Sequence, residues 1–451
     1  MHISCLGIRH RAGHIVRGAA ALAVAAAAGV AQAQDTDAVA YAPVAPFRSI
    51  EPYLDVHGSA SYTDNAFRSV TDKQSDTTAA VGVSLDIKHD GRKFDANAQG
   101  NLDWVKYLNN SFGSKALGYF DGRAIWGEST DWIQWSVAET FGQLLTDALA
   151  APTPDSLENI NYFTTGPTFN VPLGTLAQLS LYGLYSRTSY ENSNLNSHEY
   201  LGGATLGRQL SSSSRLSLNA TSQHTKFDDD ITNTNYDVRQ YFLSYEGTGP
   251  RTTLTLEGGY TKLIRTGHEG QGTLLRAELA RRISPSSSVY FRAGQDYSTA
   301  GQALRATTFA GSSATAGAPL ASTEPFKERT YEGGYRYARG RTNVSLLVNR
   351  IRDVYLEHDN LTHTITSYVA YFERRLGPTL TVSLRGSYGK SQYPALGDFD
   401  ETQYSAELSK SFSHLVLSTQ YGRFARKSLG TLDYQENRVG LRASYSFNVR
   451  P

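Results

Sequence analysis

Apolar and polar residues alternate along most of this chain. In Ala79–Ile87, for example, Val81 and Val83 alternate with Gly82 and Ser84, and the same alternation runs through Phe94–Trp104. A period of two is typical of β-strands whose two faces meet different surroundings. No amphipathic segment with the period of a helix competes with it. The pattern therefore predicts an all-β fold.

Nine tight turns separate the strand segments, and they alternate with longer, more polar connections. The tight turns are Asp90–Gly91, Gly127–Thr130, Pro172–Gly174, Ser211–Ser214, Gly247–Pro250, Ser284–Ser286, Ala338–Gly340, Gly377–Pro378 and Ser411–Ser413. The longer connections include Thr63–Ser75, Gly142–Asn161, Thr188–Ser197, Phe227–Asn235, Ser298–Phe326 and Ser391–Asp400. Outer-membrane barrels separate short periplasmic turns from long extracellular loops in this way, whereas a secreted β-sandwich has no reason to.

We therefore expect an antiparallel transmembrane β-barrel of about 20 strands, or 18 if a weak pair merges, with both termini periplasmic. Segments such as Arg251–Lys262 reach the ~9–11 residues that a tilted barrel strand needs to cross a bilayer. Aromatic residues lie where the two membrane interfaces are predicted. They are Tyr62, Trp104, Trp126, Trp132 and Tyr185.

The first 33 residues have the features of a secretory signal peptide. Arg9, Arg11 and Arg17 form a basic region, Gly18–Val30 is apolar, and Ala31–Ala33 is a small-residue cleavage site. We predict a signal peptide at 1–33, a periplasmic extension at 34–51 and the barrel at 52–451. Cleavage removes three Arg and no acid and leaves a net charge of −2, which gives no electrostatic case for a nucleic-acid partner.

Composition changes this interpretation only slightly. The chain is 40% hydrophobic with a mean hydropathy of −0.39, which argues against membrane helices but suits a barrel whose every second residue faces water. The single cysteine, Cys5, lies in the leader. No Gly-x-Ser-x-Gly, His-Glu-x-x-His or phosphate-loop motif is present, so we predict a protein that is not an enzyme and has no catalytic, cofactor or metal site. We interpret Asp228–Asp230 as a solvated loop tip rather than a cation site.

Strand parity predicts which charged residues point into the lumen. The predicted pore-lining residues are Asp95, Asp103, Arg215, Glu257, Arg276, Glu278, Arg292, Asp296, Glu332, Arg385, Glu407 and Arg442. Both signs are interleaved, so we expect a generally polar interior rather than strong ion selectivity. Tyr182 and Tyr290 also point inward on this parity, and we expect them to be structural rather than sugar-binding.

The final strand and the two longest connections carry further predictions. Leu441, Ala443, Tyr445 and Phe447 form an apolar-aromatic face near the C-terminus, which we interpret as the signal read by the barrel assembly machinery. For Ser298–Phe326 we favour a mobile extracellular loop over an inward constriction. Gly142–Asn161 is a second segment that could restrict the pore.

Several short stretches resemble the second β-barrel porin family. They are Ser61–Phe67, Tyr162–Pro167, Leu179–Ser186, Leu206–Ser211 and Leu216–Ala220. Members of that family are bacterial outer-membrane barrels that are often encoded with exopolysaccharide synthesis and export genes. The resemblance extends over nearly the whole mature chain, but it consists of pattern and short patches, and it brings no catalytic motif.

The sequence thus predicts a channel in the outer membrane of a Gram-negative bacterium. The resemblance implies export of an exopolysaccharide, with polysaccharide export components among the partners. A general or solute-specific diffusion porin is the main alternative, and an outer-membrane enzyme or adhesin is a further one. The other expected partners are outer-membrane lipids, lipopolysaccharide and the assembly machinery.

Overall fold

The computed structural model describes residues 53–128, 130–309, 320–357, 359–428 and 432–447. The predicted signal peptide and the predicted extension, which together span 1–51, lie outside the described residues.

The described chain forms strands of 11 to 17 residues. The first ten are β1 Tyr53–Thr63, β2 Asp76–Asp90, β3 Phe94–Tyr107, β4 Lys115–Trp126, β5 Ile133–Leu145, β6 Leu157–Leu173, β7 Ala177–Tyr190, β8 Ser197–Ser211, β9 Ser214–Phe227 and β10 Tyr236–Thr248. The next ten are β11 Thr252–Arg265, β12 His268–Ser284, β13 Ser287–Ser298, β14 Phe326–Arg339, β15 Thr342–Tyr355, β16 His363–Arg375, β17 Leu380–Tyr393, β18 Gly397–Ser411, β19 Leu415–Ser428 and β20 Tyr434–Phe447.

The strands close into one antiparallel barrel. Each strand pairs with the next along the chain, and β20 pairs with β1 from Leu54↔Phe447 to Thr63↔Arg438. Closure leaves no open sheet edge, so main-chain hydrogen bonds join neighbouring strands around the whole wall. The exception is the first part of β4, which pairs with β5 only from Phe120 to Trp126. The predicted barrel is confirmed with twenty strands, and the alternative with eighteen is wrong.

The two faces of the wall differ as the alternation predicts. Large apolar side chains on the outer face are exposed, among them Val81 and Leu441 at 64% and Leu218 and Tyr404 at 58%. Inward positions carry polar side chains, and many of them, such as Thr140 and Asn219, are fully buried. An exposed apolar surface of this extent around a polar interior is the reverse of a soluble protein.

Short turns collect at one end of the barrel, where β1 begins and β20 ends, and we call this the short-turn end. All nine predicted tight turns are found there. The opposite end, the long-loop end, carries most of the long connections, but residues 266–267 and 394–396 make tight turns there as well. The prediction of a long connection over Ser391–Asp400 is therefore wrong. Gly397 has a φ of 107°, which side chains disfavour, and this allows the chain to reverse directly.

Two short helical segments lie outside the wall strands. They are α1, Ala300–Phe309, and a 3-10 turn at Asp359–Leu361. Among the described residues, no helix has both the length and the apolar character that a membrane span requires.

Candidate functional site

The lumen is the candidate functional site, because it gathers most of the buried charge. All twelve predicted pore-lining residues occupy inward positions of their strands. Placement alone does not establish a solute path, so their role in transport stays a prediction.

One inward cluster joins β10 to β13. Arg276 donates to Glu257 through Nη1 at 2.8 Å and to Asp296 through Nη2. Gln240 donates to both oxygens of Asp296, at 3.0 and 2.9 Å. The guanidinium of Arg276 also lies over the ring of Phe242, 5.8 Å from its centre. One cation is therefore held between two acids.

A second cluster continues the pairing along the wall. Arg292 on β13 donates through Nε to Glu278 on β12 at 2.8 Å, and its Nη1 lies 3.9 Å from Glu332 on β14. Both pairs are directly opposite in strand register. Opposite charges at such positions stabilise a sheet modestly, and here, as in the first cluster, two acids share one Arg.

A third cluster lies where the barrel closes. Arg442 on β20 donates through Nη2 to Nδ1 of His57 at 2.9 Å and to the hydroxyl of Ser84 at 2.8 Å. Nε2 of His57 lies 2.6 Å from Asp103. Because a guanidinium can only donate, Nδ1 of His57 accepts and Nε2 carries the proton that is donated to Asp103. His57 was not among the predicted pore-lining residues, although its inward parity on β1 was a usable signal.

The remaining predicted residues lie apart from these clusters. Asp95 accepts a hydrogen bond from the amide of Gly91 at 3.0 Å and so caps the β2–β3 turn. Arg215 packs over Gly207, where an added Cβ would come within 2.3 Å of its guanidinium. Arg385 lies within electrostatic reach of Tyr371 on β16 and of Tyr119 on β4. Glu407 on β18 is opposite Ser383 on β17.

The β13–β14 connection enters the lumen. Helix α1 contacts β4, β5 and β6, on the side of the barrel opposite its own strands. Ala300 and Leu304 are buried against Leu144, Ile160 and Tyr190. The expectation of a mobile extracellular loop is therefore wrong for the described part of Ser298–Phe326, and residues 310–319 lie outside the described chain.

Local sequence explains how this helix starts. The hydroxyl of Thr299 accepts from the amide of Gln302 at 3.3 Å, and the side chain of Gln302 accepts from the amide of Thr299 at 3.3 Å. This reciprocal arrangement is a capping box, which satisfies two amides that the helix leaves unpaired. Gln302 also donates to Gln223 on the inward face of β9 at 3.3 Å.

The β5–β6 connection, residues 146–156, also folds inward. Arg426 on β19 donates to the carbonyl oxygens of Leu149 at 2.6 Å and Ala150 at 3.0 Å. Arg68 donates to the carbonyl oxygen of Pro152 at 2.8 Å. Lys115 donates to the carbonyl oxygen of Pro154 at 3.2 Å. We call these three cations the loop latches.

Each loop latch also has an acidic partner. Arg426 pairs with Glu401 at 2.8 Å, Arg68 with Glu436 at 2.9 Å, and Lys115 with Glu191 at 3.3 Å. None of the three was predicted as a site residue. Arg426 has inward parity on β19, but Arg68 lies in a loop, where no periodicity gave a signal.

The two inward loops meet and narrow the long-loop end. Leu145 and Leu320 form an isolated bridge, and the amide of Ala321 donates to the carbonyl oxygen of Leu145 at 3.1 Å. Beneath them lies a row of buried rings on consecutive strands. The row consists of Phe326, Tyr355, His363, Tyr393 and Phe399. We call the two loops together the constriction.

A cavity of about 480 Å³ remains between the β1–β2 connection and the constriction. Arg68, Thr71, Ala151, Arg426 and Leu432 are among its lining residues. Its walls therefore include two of the loop latches, and a change at those residues alters both the cavity and the constriction.

Other predicted features have structural roles. The rings of Tyr182 and Tyr290 cover Gly203 and Gly334 on the neighbouring strands, so closely that an added Cβ would meet them at 2.3 and 2.0 Å. Asp228 pairs with Arg187 at 2.6 Å and with His198 at 3.1 Å. The described residues contain no group of three or more His, Cys, Asp or Glu that could hold a metal ion.

No protein family model and no curated protein matches this sequence. Solved structures with some similarity include OccK2 (OpdF) of Pseudomonas aeruginosa in complex with glucuronate, at 11% identity over 88% of this chain and 98% of that chain, with a TM-score of 0.36. The FrpB iron transporter of Neisseria meningitidis is similar at 12% identity over 88% and 82%, with a TM-score of 0.42. A BenF-like porin of Pseudomonas fluorescens is similar at 11% identity over 88% and 98%, with a TM-score of 0.37. At TM-scores this low, we draw no conclusion about this chain from them.

Proposed function

We propose that this protein is an outer-membrane channel through which small hydrophilic solutes diffuse. The observation that carries the proposal is the closed twenty-stranded barrel with an apolar exposed outer face and a polar, charge-paired interior. Such a wall suits a bilayer outside and water inside. Barrels of sixteen to eighteen strands already enclose an aqueous channel.

The constriction favours a diffusion porin over polysaccharide export. Both inward loops are fixed by hydrogen bonds and buried apolar contacts, so a polymer chain would need both of them to leave the lumen. A small solute needs only the space beside them. Export of an exopolysaccharide therefore rests on the sequence resemblance alone.

The location and partners follow from the same proposal. The long-loop end is extracellular and the short-turn end periplasmic, and residues 1–33 direct the chain out of the cytoplasm. Outer-membrane lipids and lipopolysaccharide surround the apolar face. The assembly machinery reads the strand that carries Leu441, Ala443, Tyr445 and Phe447, all of which lie on outward positions of β20.

Single-channel recording in planar bilayers tests the proposal. We expect discrete ion conductance from the purified barrel, uptake of monosaccharide-sized solutes into proteoliposomes, and exclusion of long polymers. A variant in which residues 299–325 are replaced by a short Gly-Ser turn serves as the comparison and is expected to conduct more. Absence of conductance, or recovery of the mature protein from the periplasm without detergent, would contradict the proposal. Passage of long polymers through the unmodified barrel would favour export instead.

A further inference from the structure

An acidic side chain faces outward from the middle of the barrel wall. On β5, the buried residues Gln134, Ser136 and Thr140 point inward, so Glu139 points outward together with Trp135, which is 45% exposed. Opposite Glu139 in register is Phe163 on β6. This is the face that meets hydrocarbon in the proposed function.

Glu139 lies deep within the apolar band. It is four residues beyond Trp135, or about 13 Å along the strand, whereas the apolar band of such barrels is about 25 Å tall. On outward positions five to seven residues from the short-turn end of the described strands, it is the only charged residue. An ionisable group at such depth is costly and generally functional.

Two pairs of polar side chains lie on this outer face, one at Glu139 and one nearer the long-loop end. The Asn161 side chain donates to the carboxylate of Glu139. Further along, Gln143 donates to Oδ1 of Asn159 at 2.9 Å. Asn159 in turn donates to the carbonyl oxygen of Ala116 at 3.2 Å. A carboxylate can accept several hydrogen bonds, and lipid tails supply no donor.

The strand beside these pairs carries small residues on its outer face. Gly122 lies opposite Glu139 in register, and Ala124, two residues on, is 1% exposed. On β4 and β5 the exposed large apolar residues are only Trp126 and Trp135, both near the short-turn end. We call Gly122, Ala124, Glu139, Gln143, Asn159 and Asn161 the polar patch.

We propose that the polar patch is the surface on which a second copy of this chain packs, forming a two-fold dimer in the membrane. This inference rests on the proposed function. Each amide nitrogen of the patch has a second N–H beyond the bond described above, and the Glu139 carboxylate can accept more than one hydrogen bond. Two copies related by a two-fold axis therefore supply each other's partners, Glu139 of one facing the amides of the other. Small residues allow the two walls to approach closely. A cyclic oligomer of three or more copies would require a second, different surface on each copy, whereas a two-fold dimer needs only the polar patch.

Native mass spectrometry of the barrel in lipid nanodiscs tests the proposal. We expect the unmodified chain to be dimeric, and Glu139→Leu and Asn161→Leu each to weaken dimerisation by at least tenfold. Gln295→Leu is the matched control, because Gln295 is an outward polar residue on the distant strand β13. Gly122→Phe places a large side chain where the two walls would approach, without changing charge, and is also expected to give monomers. In a Cys5→Ser background, Phe163→Cys is expected to cross-link into a covalent dimer.

The outcomes separate this inference from the proposed function. Each variant is first checked for folding by the heat-dependent shift of its gel mobility and by its conductance. A conducting barrel that stays monomeric at every concentration would overturn the dimer and leave the channel intact. A dimer unaffected by Glu139→Leu, Asn161→Leu and Gly122→Phe would place the interface elsewhere and also overturn it. A monomer that retains a bound lipid at the patch would show that lipid, not protein, is the occupant.

Discussion

Strand parity correctly predicted which way single side chains point, but it did not predict which residues they pair with across strands. The inward positions of Arg276 and Glu257 follow from a period of two within each strand. Their pairing follows from the register Glu257↔Arg276, which is set by hydrogen bonds along the whole β11–β12 ladder. Register is a property of two strands, so no local signal in either strand reveals it.

Position 166 requires glycine, and only the structure shows why. A Cβ added there would lie 2.0 Å from the carbonyl oxygen of Gly183 on the next strand, whereas Gly183 itself has open space. Backbone must move to accept the methyl group, so Gly166→Ala should destabilise the barrel by about 1–3 kcal/mol. Gly183→Ala is the control and should be close to neutral. Urea unfolding in detergent measures both, and equal stability of the two variants would refute the expected clash.

Asp228 provides a pH prediction outside the membrane. The hydrogen bond from Arg187 holds the pKa of the Asp228 carboxyl below its ordinary value. Because the pKa is lower in the folded state, the pair stabilises the loop fully at pH values above the ordinary carboxyl pKa of ~3.9. That stabilisation is lost as the pH falls through the lowered pKa. The protection factors of residues 228–235 against hydrogen exchange, corrected for the intrinsic rate at each pH, should therefore fall only in strong acid. In Arg187→Met this fall should begin at a higher pH, and an unchanged midpoint would contradict the role of Arg187.

Among the elements, turns and strands were predictable, but the loops that enter the lumen were not. Tight turns need particular residues at particular positions, so Asp90–Gly91 and Ser211–Ser214 are visible in the sequence. The direction of a long loop depends on what it meets. Helix α1 turns inward because Ala300 and Leu304 find apolar partners on β5 and β6, far away in sequence. The capping box formed by Thr299 and Gln302 is a local signal of its start, but it was not among the predictions.

The loop latch at Arg426 gives a prediction for the constriction. Its guanidinium holds the β5–β6 loop by two carbonyl oxygens, so Arg426→Met should free the loop and raise single-channel conductance about twofold or more. Arg423→Met is the matched control, because Arg423 lies three residues away on the same strand and faces outward. Identical conductance of the two variants would mean that the loop does not limit the path. Circular dichroism checks that both remain folded.

At the scale of the whole molecule, closure of the barrel explains how a chain of low mean hydropathy can be a membrane protein. A mean hydropathy of −0.39 is compatible with a membrane protein only if the apolar residues share one face, and the pairing of β20 with β1 completes such a face around the entire wall. The number of strands follows from counting turns. The polar patch escaped the sequence analysis because Glu139 is one acid among many until its outward direction and its depth are both known.

The balance of charge across the lumen yields the last prediction. Arg276 lies between Glu257 and Asp296, so Arg276→Met leaves two acids without their shared cation. The interior should then attract cations, and the permeability of potassium relative to chloride should rise about twofold or more, measured as the reversal potential in a salt gradient. Arg281→Met on the same strand removes an outward charge and should leave the reversal potential unchanged. Adding Glu257→Gln to Arg276→Met should return the selectivity toward that of the unmodified barrel, since one of the two unpaired charges is gone. If Arg276→Met shifts the reversal potential no more than Arg281→Met does, ions pass elsewhere and this cluster only stabilises the wall.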